Sequence, residues 1–215
     1  MNVQSLRKRL APRLQLLYGE RADECLDKMM SRIEAVALDD ARETLADDAI
    51  WNQRDVVLIT YGDQVRFDDE TAEAKSPLAA LAEFLSDFGL DDSINIIHLL
   101  PCFPYSSDDG FSVIDYRQID PNLGDWSDID RLGRSYNLMF DLVLNHISRR
   151  SRWFKEYLAG REPYTRFFIE VDPRTDTSQV VRPRSLSLLT EVETAAGRRH
   201  VWTTFSDDQI DLNFA

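Results

Sequence analysis

The chain has 215 residues, 43% of them hydrophobic, and carries 25 Lys and Arg against 38 Asp and Glu for a formal net charge of −13. That is enough chain for a full core, about one to one and a half average domains, and it excludes a small scaffold stapled by disulfides. The acidic balance repels a phosphate backbone and an anionic membrane surface, which argues against nucleic-acid and membrane partners.

From the N-terminus, MNVQSLRKRLAPRL has basic residues but no continuous apolar stretch of a signal or a span, so a soluble, cytoplasmic protein is expected. Leu6, Leu10, Leu14 and Leu17 recur at helical spacing, as do Cys25 or Leu26, Met29, Ile33 and Ala37, with Gly19 between the runs. Two amphipathic helices are predicted within a helical extension over 1–50. Their apolar stripes either cover the molecule's own core or form a dimerising or docking surface. Cys25 and Cys102 are far apart, and Cys102 sits in an apolar run; both read as small core residues in a reducing compartment.

Beyond residue 51 the pattern becomes short apolar runs alternating with helical segments. DVVLITY (Asp55–Tyr61) is a strand candidate. Ser76 and Pro77 open a helix that runs to Gly89, with serine as N-cap and proline at the first helical position. INIIHLL (Ile94–Leu100) is the second strand, stopped by Pro101. Ser127, with Asp130 three residues on, reads as a capping box opening another helix, and LMFDLVL (Leu138–Leu144) as the third strand. Strands about forty residues apart with helices between them indicate βα units feeding a parallel sheet buried on both faces.

In such a fold, ligands gather at the carboxyl ends of the strands. Three polar clusters lie there: Tyr61–Asp63, the stretch PCFPYSSDDGF, and Asn145-His146. Each admits an ordinary reading as turn or surface residues. Asp108-Asp109-Gly110 followed by Phe111 also offers what a sugar needs, a carboxylate for hydroxyls and a ring for the apolar face of a pyranose. From about Ile147 to Val201 the βα rhythm is lost, and RFFIEV, SQVVRP and HVWTTF are short strand candidates among polar loops. The cluster Arg149, Arg150, Arg152 and Lys155 invites phosphate binding, against the commoner role of solvating a face.

Three stretches, IIHLLPCFPYSSDDGFSVIDYRQIDPNLGDW, FDLVLNHISRRSRWF and VWTTFSDDQIDLNFA, strongly resemble glycoside hydrolase family 13, specifically its sucrose phosphorylase subfamily, and are most similar to members acting on glucosylglycerate or sucrose 6-phosphate. The resemblance runs from about Asp55 to Ala215. It implies an α/β fold: the first three βα units of a (β/α)8 TIM barrel over 51–146, a small inserted domain B over 147–201 after the third strand, and a return toward the barrel over 202–215. It further implies that Asp108 anchors the glucosyl ring at its far hydroxyls, that Phe111 is the platform beneath it, and that His146 bonds the primary hydroxyl. Phe205 and Gln209 would line the boundary between donor and acceptor. Asp141 would brace the strand, and Asn145, a calcium ligand in many relatives, would hold no metal. The implied activity is retaining transfer of glucose from an α-glucoside to inorganic phosphate, without a cofactor. Its partners are a small sugar and phosphate, with a homodimer left open. A hydrolase or transglycosylase on the same scaffold, or a noncatalytic sugar-binding remnant, are the alternatives. Nucleophile and acid/base are expected beyond Ala215, on the fourth and fifth strands, so the 215 residues alone are expected to be inactive.

Overall fold

The computed structural model describes residues 3–39, 52–67, 75–181 and 184–214, in two compact units, 1–54 and 55–214. The expected boundary at residue 50 falls outside the described residues, as do Arg182 and Pro183 of the SQVVRP candidate. No described helix is long and apolar enough to cross a membrane.

In the first unit, α1 (Val3–Tyr18) and α2 (Ala22–Asp39) are joined by the turn Gly19–Arg21. They bury Leu14, Ala22, Leu26 and Met30, with Leu6, Leu10, Ala11, Tyr18 and Ile33 packed around them. Of the expected stripes Leu6, Leu10, Leu14, Leu26 and Ile33 are in place, and two positions are corrected by one residue, Tyr18 for Leu17 and Met30 for Met29. Leu17 and Met29 are exposed, because the seam follows the 11–14–18 and 22–26–30–33 spacings that hold one helical face. The Ala37 side chain lies outside the described residues.

The second unit opens with three parallel strands, β1 (Val57–Thr60), β2 (Ile96–Leu99) and β3 (Asn137–Phe140), in the order β1-β2-β3. The register pairs Val57 with Ile96 and Ile96 with Asn137. Helices α3 (Pro77–Asp87) and α4 (Trp126–Gly133) fall between them in sequence. Leu78, Leu81 and Leu85 of α3 and Ile129 and Leu132 of α4 close over Ile97, Leu99 and Cys102. Cys102 is a core residue, its thiol pushed by burial to about 11, and Cys25 is half-buried and also unpaired.

Burial on both faces is observed for the central strand β2, where Ile96 and Ile97 are both buried, but not for β1: Val57 and Ile59 remain exposed on the face opposite the two helices, and Phe140 is exposed at the end of the edge strand β3. The third strand also stops four residues earlier than expected. Its partner β2 runs into Pro101, which has no N–H to extend the ladder, and Leu142 and Leu144 lie exposed beyond it. The Asp141 carboxylate accepts from the imidazole of His98 on β2 at 3.1 Å, the bracing role expected of it.

Helix starts follow side-chain oxygens. Ser76 accepts from the Ala79 N–H and donates to Asp128 Oδ2 at 2.7 Å, as α3 begins with Pro77. The α4 cap is Asp125 instead of Ser127: its carboxylate accepts from Ser127 N, and Asp128 returns a bond to the Asp125 N–H. A carboxylate two residues upstream, aided by the positive helix end, outcompetes the hydroxyl.

Two antiparallel pairs complete the unit. β4 (His146–Ser148) pairs with β7 (Gln209–Asp211), and β5 (Leu189–Thr194) forms a hairpin with β6 (Gly197–Trp202). With α5 (Arg152–Leu158) they enclose a second core of Ile147, Phe154, Tyr157, Phe168, Val192, Val201 and Ile210. HVWTTF overlaps β6, whereas RFFIEV contributes only isolated bridges, at Phe168 and Glu170, and β5 was not among the candidates.

Replacing Ser76 by Ala removes the α3 cap and leaves Asp128 with one donor fewer. The expected loss is about 1–2 kcal/mol, read as a lower urea midpoint with an unchanged slope.

Candidate functional site

The loop leaving β2 is held in an unusual shape. Ser106 N donates to Ser112 O, Ser112 N to Ser107 O, and Phe111 N to Asp108 O, closing residues 106–112 on themselves. At its tip Asp108, Asp109 and Gly110 have φ of 57°, 50° and 100°. The last admits only glycine: a Cβ there would stand 2.8 Å from the Pro101 carbonyl. For the two aspartates, left-handed backbone costs roughly 1–2 kcal/mol each, so surrounding bonds must hold the loop there.

Three of the residues singled out from sequence meet directly. Gln209 Nε2 donates to Asp108 Oδ2 at 2.9 Å and lies 3.1 Å from His146 Nε2, while that same imidazole nitrogen is 3.0 Å from the Phe111 carbonyl. The Phe205 ring stands 5.0 Å from the His146 ring, centroid to centroid. Phe111 thus joins through its carbonyl, with a half-buried side chain. The Gln209 amide is oriented at both ends, because its oxygen accepts from Ser206 Oγ at 2.8 Å.

The Phe111 carbonyl can only accept, which calls for a proton on His146 Nε2; the Gln209 amide nitrogen 3.1 Å away is itself a donor, so in that tautomer no hydrogen bond joins the two and the amide serves Asp108. Nδ1 is then a bare acceptor, and among the described residues it is the one buried side-chain polar atom without a partner. Burial holds His146 below its ordinary value and therefore neutral. Asp108 behaves oppositely. Burial opposes its ionisation, but hydrogen bonds from Arg184 and Gln209 outweigh that and keep its carboxyl below the ordinary range.

Arg184 was not singled out from sequence. Its Nη2 donates to both Asp108 oxygens, at 2.8 and 3.1 Å, and its guanidinium lies 5.9 Å from the centre of the Phe205 ring. Its signal was one arginine in a loop rich in them. Below the site, Tyr116 donates to the carbonyls of Val143 and His146, and burial pushes its hydroxyl up to about 12. Asn145 accepts from Leu212 N through its carbonyl and hydrogen-bonds Asp211 through its side chain, and Asp211 also accepts from the Thr204 N–H and hydroxyl, its carboxyl raised by burial.

The other rim cluster is separate. Tyr61, Gly62 and Asp63 line a cavity of about 760 Å³ with Tyr105 and Asp109, which the Asp108–His146–Gln209 group does not line. Arg150, Arg152 and Lys155 border a smaller cleft of about 480 Å³ beside Trp153, and Arg149 instead approaches Asp207 at 3.8 Å.

Residues 78–214 match the family described as Alpha amylase, catalytic domain. Glucosylglycerate phosphorylase of Allomeiothermus silvanus is 44% identical over 98% of this chain, which spans 36% of that relative. Glucosylglycerate phosphorylase of Escherichia coli is 50% identical over 76% of this chain and 28% of its own length. Among solved structures, sucrose 6F-phosphate phosphorylase from Thermoanaerobacter thermosaccharolyticum superposes with a TM-score of 0.65 at 29% identity, over 77% of this chain and 35% of that one. The chain therefore spans about a third of the length of these relatives, and its three parallel strands are part of a (β/α)8 barrel. With the family matched over most of its length, the chain belongs to the α-amylase family.

Proposed function

We propose that this chain forms the glucosyl-recognising part of a retaining α-glucoside phosphorylase whose donor is glucosylglycerate. The observation that carries the reading is the convergence beside Phe205 of Asp108, in the loop that leaves the parallel strand β2, with His146 and Gln209 of the antiparallel pair β4 and β7. An ionised carboxylate, a neutral imidazole and an oriented amide suit a ligand covered with hydroxyls, and an aromatic ring suits its apolar face.

In this reading Asp108 accepts from hydroxyls far from the reacting carbon, through lone pairs that Arg184 and Gln209 leave available. His146 meets the primary hydroxyl, Phe111 lies under the ring, and Phe205 with Gln209 borders the acceptor. Two carboxyls about 5–5.5 Å apart, one nucleophile and one acid/base, perform retaining transfer. They are expected on barrel strands that these 215 residues do not include, with phosphate releasing glucose 1-phosphate from the covalent intermediate. Residues 147–201 are read as the inserted domain. Two relatives named as glucosylglycerate phosphorylases, at 44% and 50% identity, favour that donor over sucrose or its 6-phosphate.

Calorimetric titration tests this. The chain should bind glucosylglycerate more tightly than sucrose or sucrose 6-phosphate and release no glucose 1-phosphate by itself. Asp108→Asn should weaken binding about tenfold or more, the loss of a charge-assisted acceptor. Equal affinity for all three sugars, or none for any, sinks the proposal. The pH dependence follows from the signs of the two shifts. A depressed imidazole takes its proton below the ordinary 6.5, and a depressed carboxyl below 3.8, so on acidification the loss of affinity should have its midpoint below 6.5. A midpoint at or above the ordinary histidine value would show His146 to be solvated, contrary to this geometry.

A further inference from the structure

The strained loop that presents Asp108 is tied down by one carboxylate outside the residues considered so far. Asp208 Oδ2 accepts from the hydroxyls of Ser106 and Ser107 at 2.5 Å each and of Ser112 at 2.8 Å. The Ser112 hydroxyl also reaches the Asp208 carbonyl at 3.2 Å, and the same carbonyl accepts from Arg149 N. Behind these, Arg150 N donates to Ser148 Oγ, and Ser148 Oγ stands 2.5 Å from Ser106 Oγ. Proton directions are consistent throughout: backbone to Ser148, Ser148 to Ser106, Ser106 to the carboxylate. Ser112 and Ser148 are fully buried, so each hydroxyl needs such a partner.

The sequence offsets give this cluster its meaning. Ser107 precedes Asp108, and Asp208 precedes Gln209, so the loop and β7 are joined by two adjacent side-chain rungs, Ser107–Asp208 and Asp108–Gln209. Only the second lies in the glucosyl site. Left-handed backbone at Asp108 and Asp109 is not self-sustaining, and the loop's own three backbone bonds close it without orienting it toward β7.

We infer that Asp208 is a positioning residue: by gathering the hydroxyls of Ser106, Ser107 and Ser112 it holds the 106–112 loop in its left-handed turn and thereby places Asp108 against Gln209 for a glucosyl ligand. This rests on the glucosyl-site reading above. Without the carboxylate the loop relaxes toward ordinary φ and the Asp108 oxygens leave Gln209, while the Ile147–Ile210 pairing of β4 with β7 is untouched.

The test uses the 215-residue chain, with glucosylglycerate as probe and hydrogen exchange as an independent readout. Asp208→Ala should weaken binding about tenfold or more by loss of preorganisation, with faster exchange confined to residues 106–112. Adding Asp109→Gly, which adopts φ near 50° without strain, should restore affinity to within about threefold of wild type. A general destabilisation would not respond to that second change. If Asp208→Ala does not fold, Asp208→Asn, which keeps one acceptor and the shape, is judged by the same criteria. Unchanged binding and exchange in the Asp208 variant overturn the inference. So does a loss that glycine fails to rescue, accompanied by faster exchange across residues 146–211. If wild type does not bind glucosylglycerate, the functional reading fails and the exchange pattern alone decides the role of Asp208.

Discussion

The candidate site depends on the register of one short antiparallel pair. β4 and β7 place His146 opposite Asp211 and Ser148 opposite Gln209, with Ile147 facing Ile210 between them. Because side chains alternate across a strand, His146, Ser148, Gln209 and Asp211 share one face, and both isoleucines enter the core on the other. Gln209 is thus the diagonal neighbour of His146, which is why its amide reaches the imidazole and, past it, Asp108. A slip of one residue would send the polar set into a core of Phe154, Phe168 and Val201 and expel the isoleucines. The apolar face therefore fixes the geometry of the polar one.

Charge within the site is arranged against the field of the whole molecule. A protein of formal charge −13 resists a further carboxylate, yet the partly exposed Asp108 is kept ionised because hydrogen bonds from Arg184 and Gln209 outweigh its partial desolvation. His146 reaches the opposite result by desolvation, which outweighs the pull of the Phe111 carbonyl, Asp211 and Asp108 toward the protonated form. One site thus holds a fixed anion and a fixed neutral donor side by side.

Much of this was legible in the sequence where a local rule decided the outcome. Ser76-Pro77 could only open a helix, and the β-branched runs around Val57 and Ile96 could only be strands in a chain of this rhythm. Asp108, His146, Phe205 and Gln209 were selected by a family pattern, and the fold brings them together. What escaped depends on competition or distance. The α4 cap was misplaced because Asp125 and Ser127 both qualify and only electrostatics ranks them. β5 escaped because Leu189–Thr194 alternates weakly and is specified by its partner β6. Asp208 escaped because three serines about a hundred positions away give it its role.

The open face of the parallel sheet and the site belong to different parts of the packing. Val57 and Ile59 are exposed on the sheet face opposite the two helices. The site, by contrast, is braced by the second core under β4 and β7, by Tyr116 beneath the 143–146 backbone, and by the Asp208 serine cluster. None of those supports runs through the uncovered face of β1 or β3. The position of Asp108 relative to His146 and Gln209 is therefore set inside residues 104–211, independently of the uncovered face of the parallel sheet.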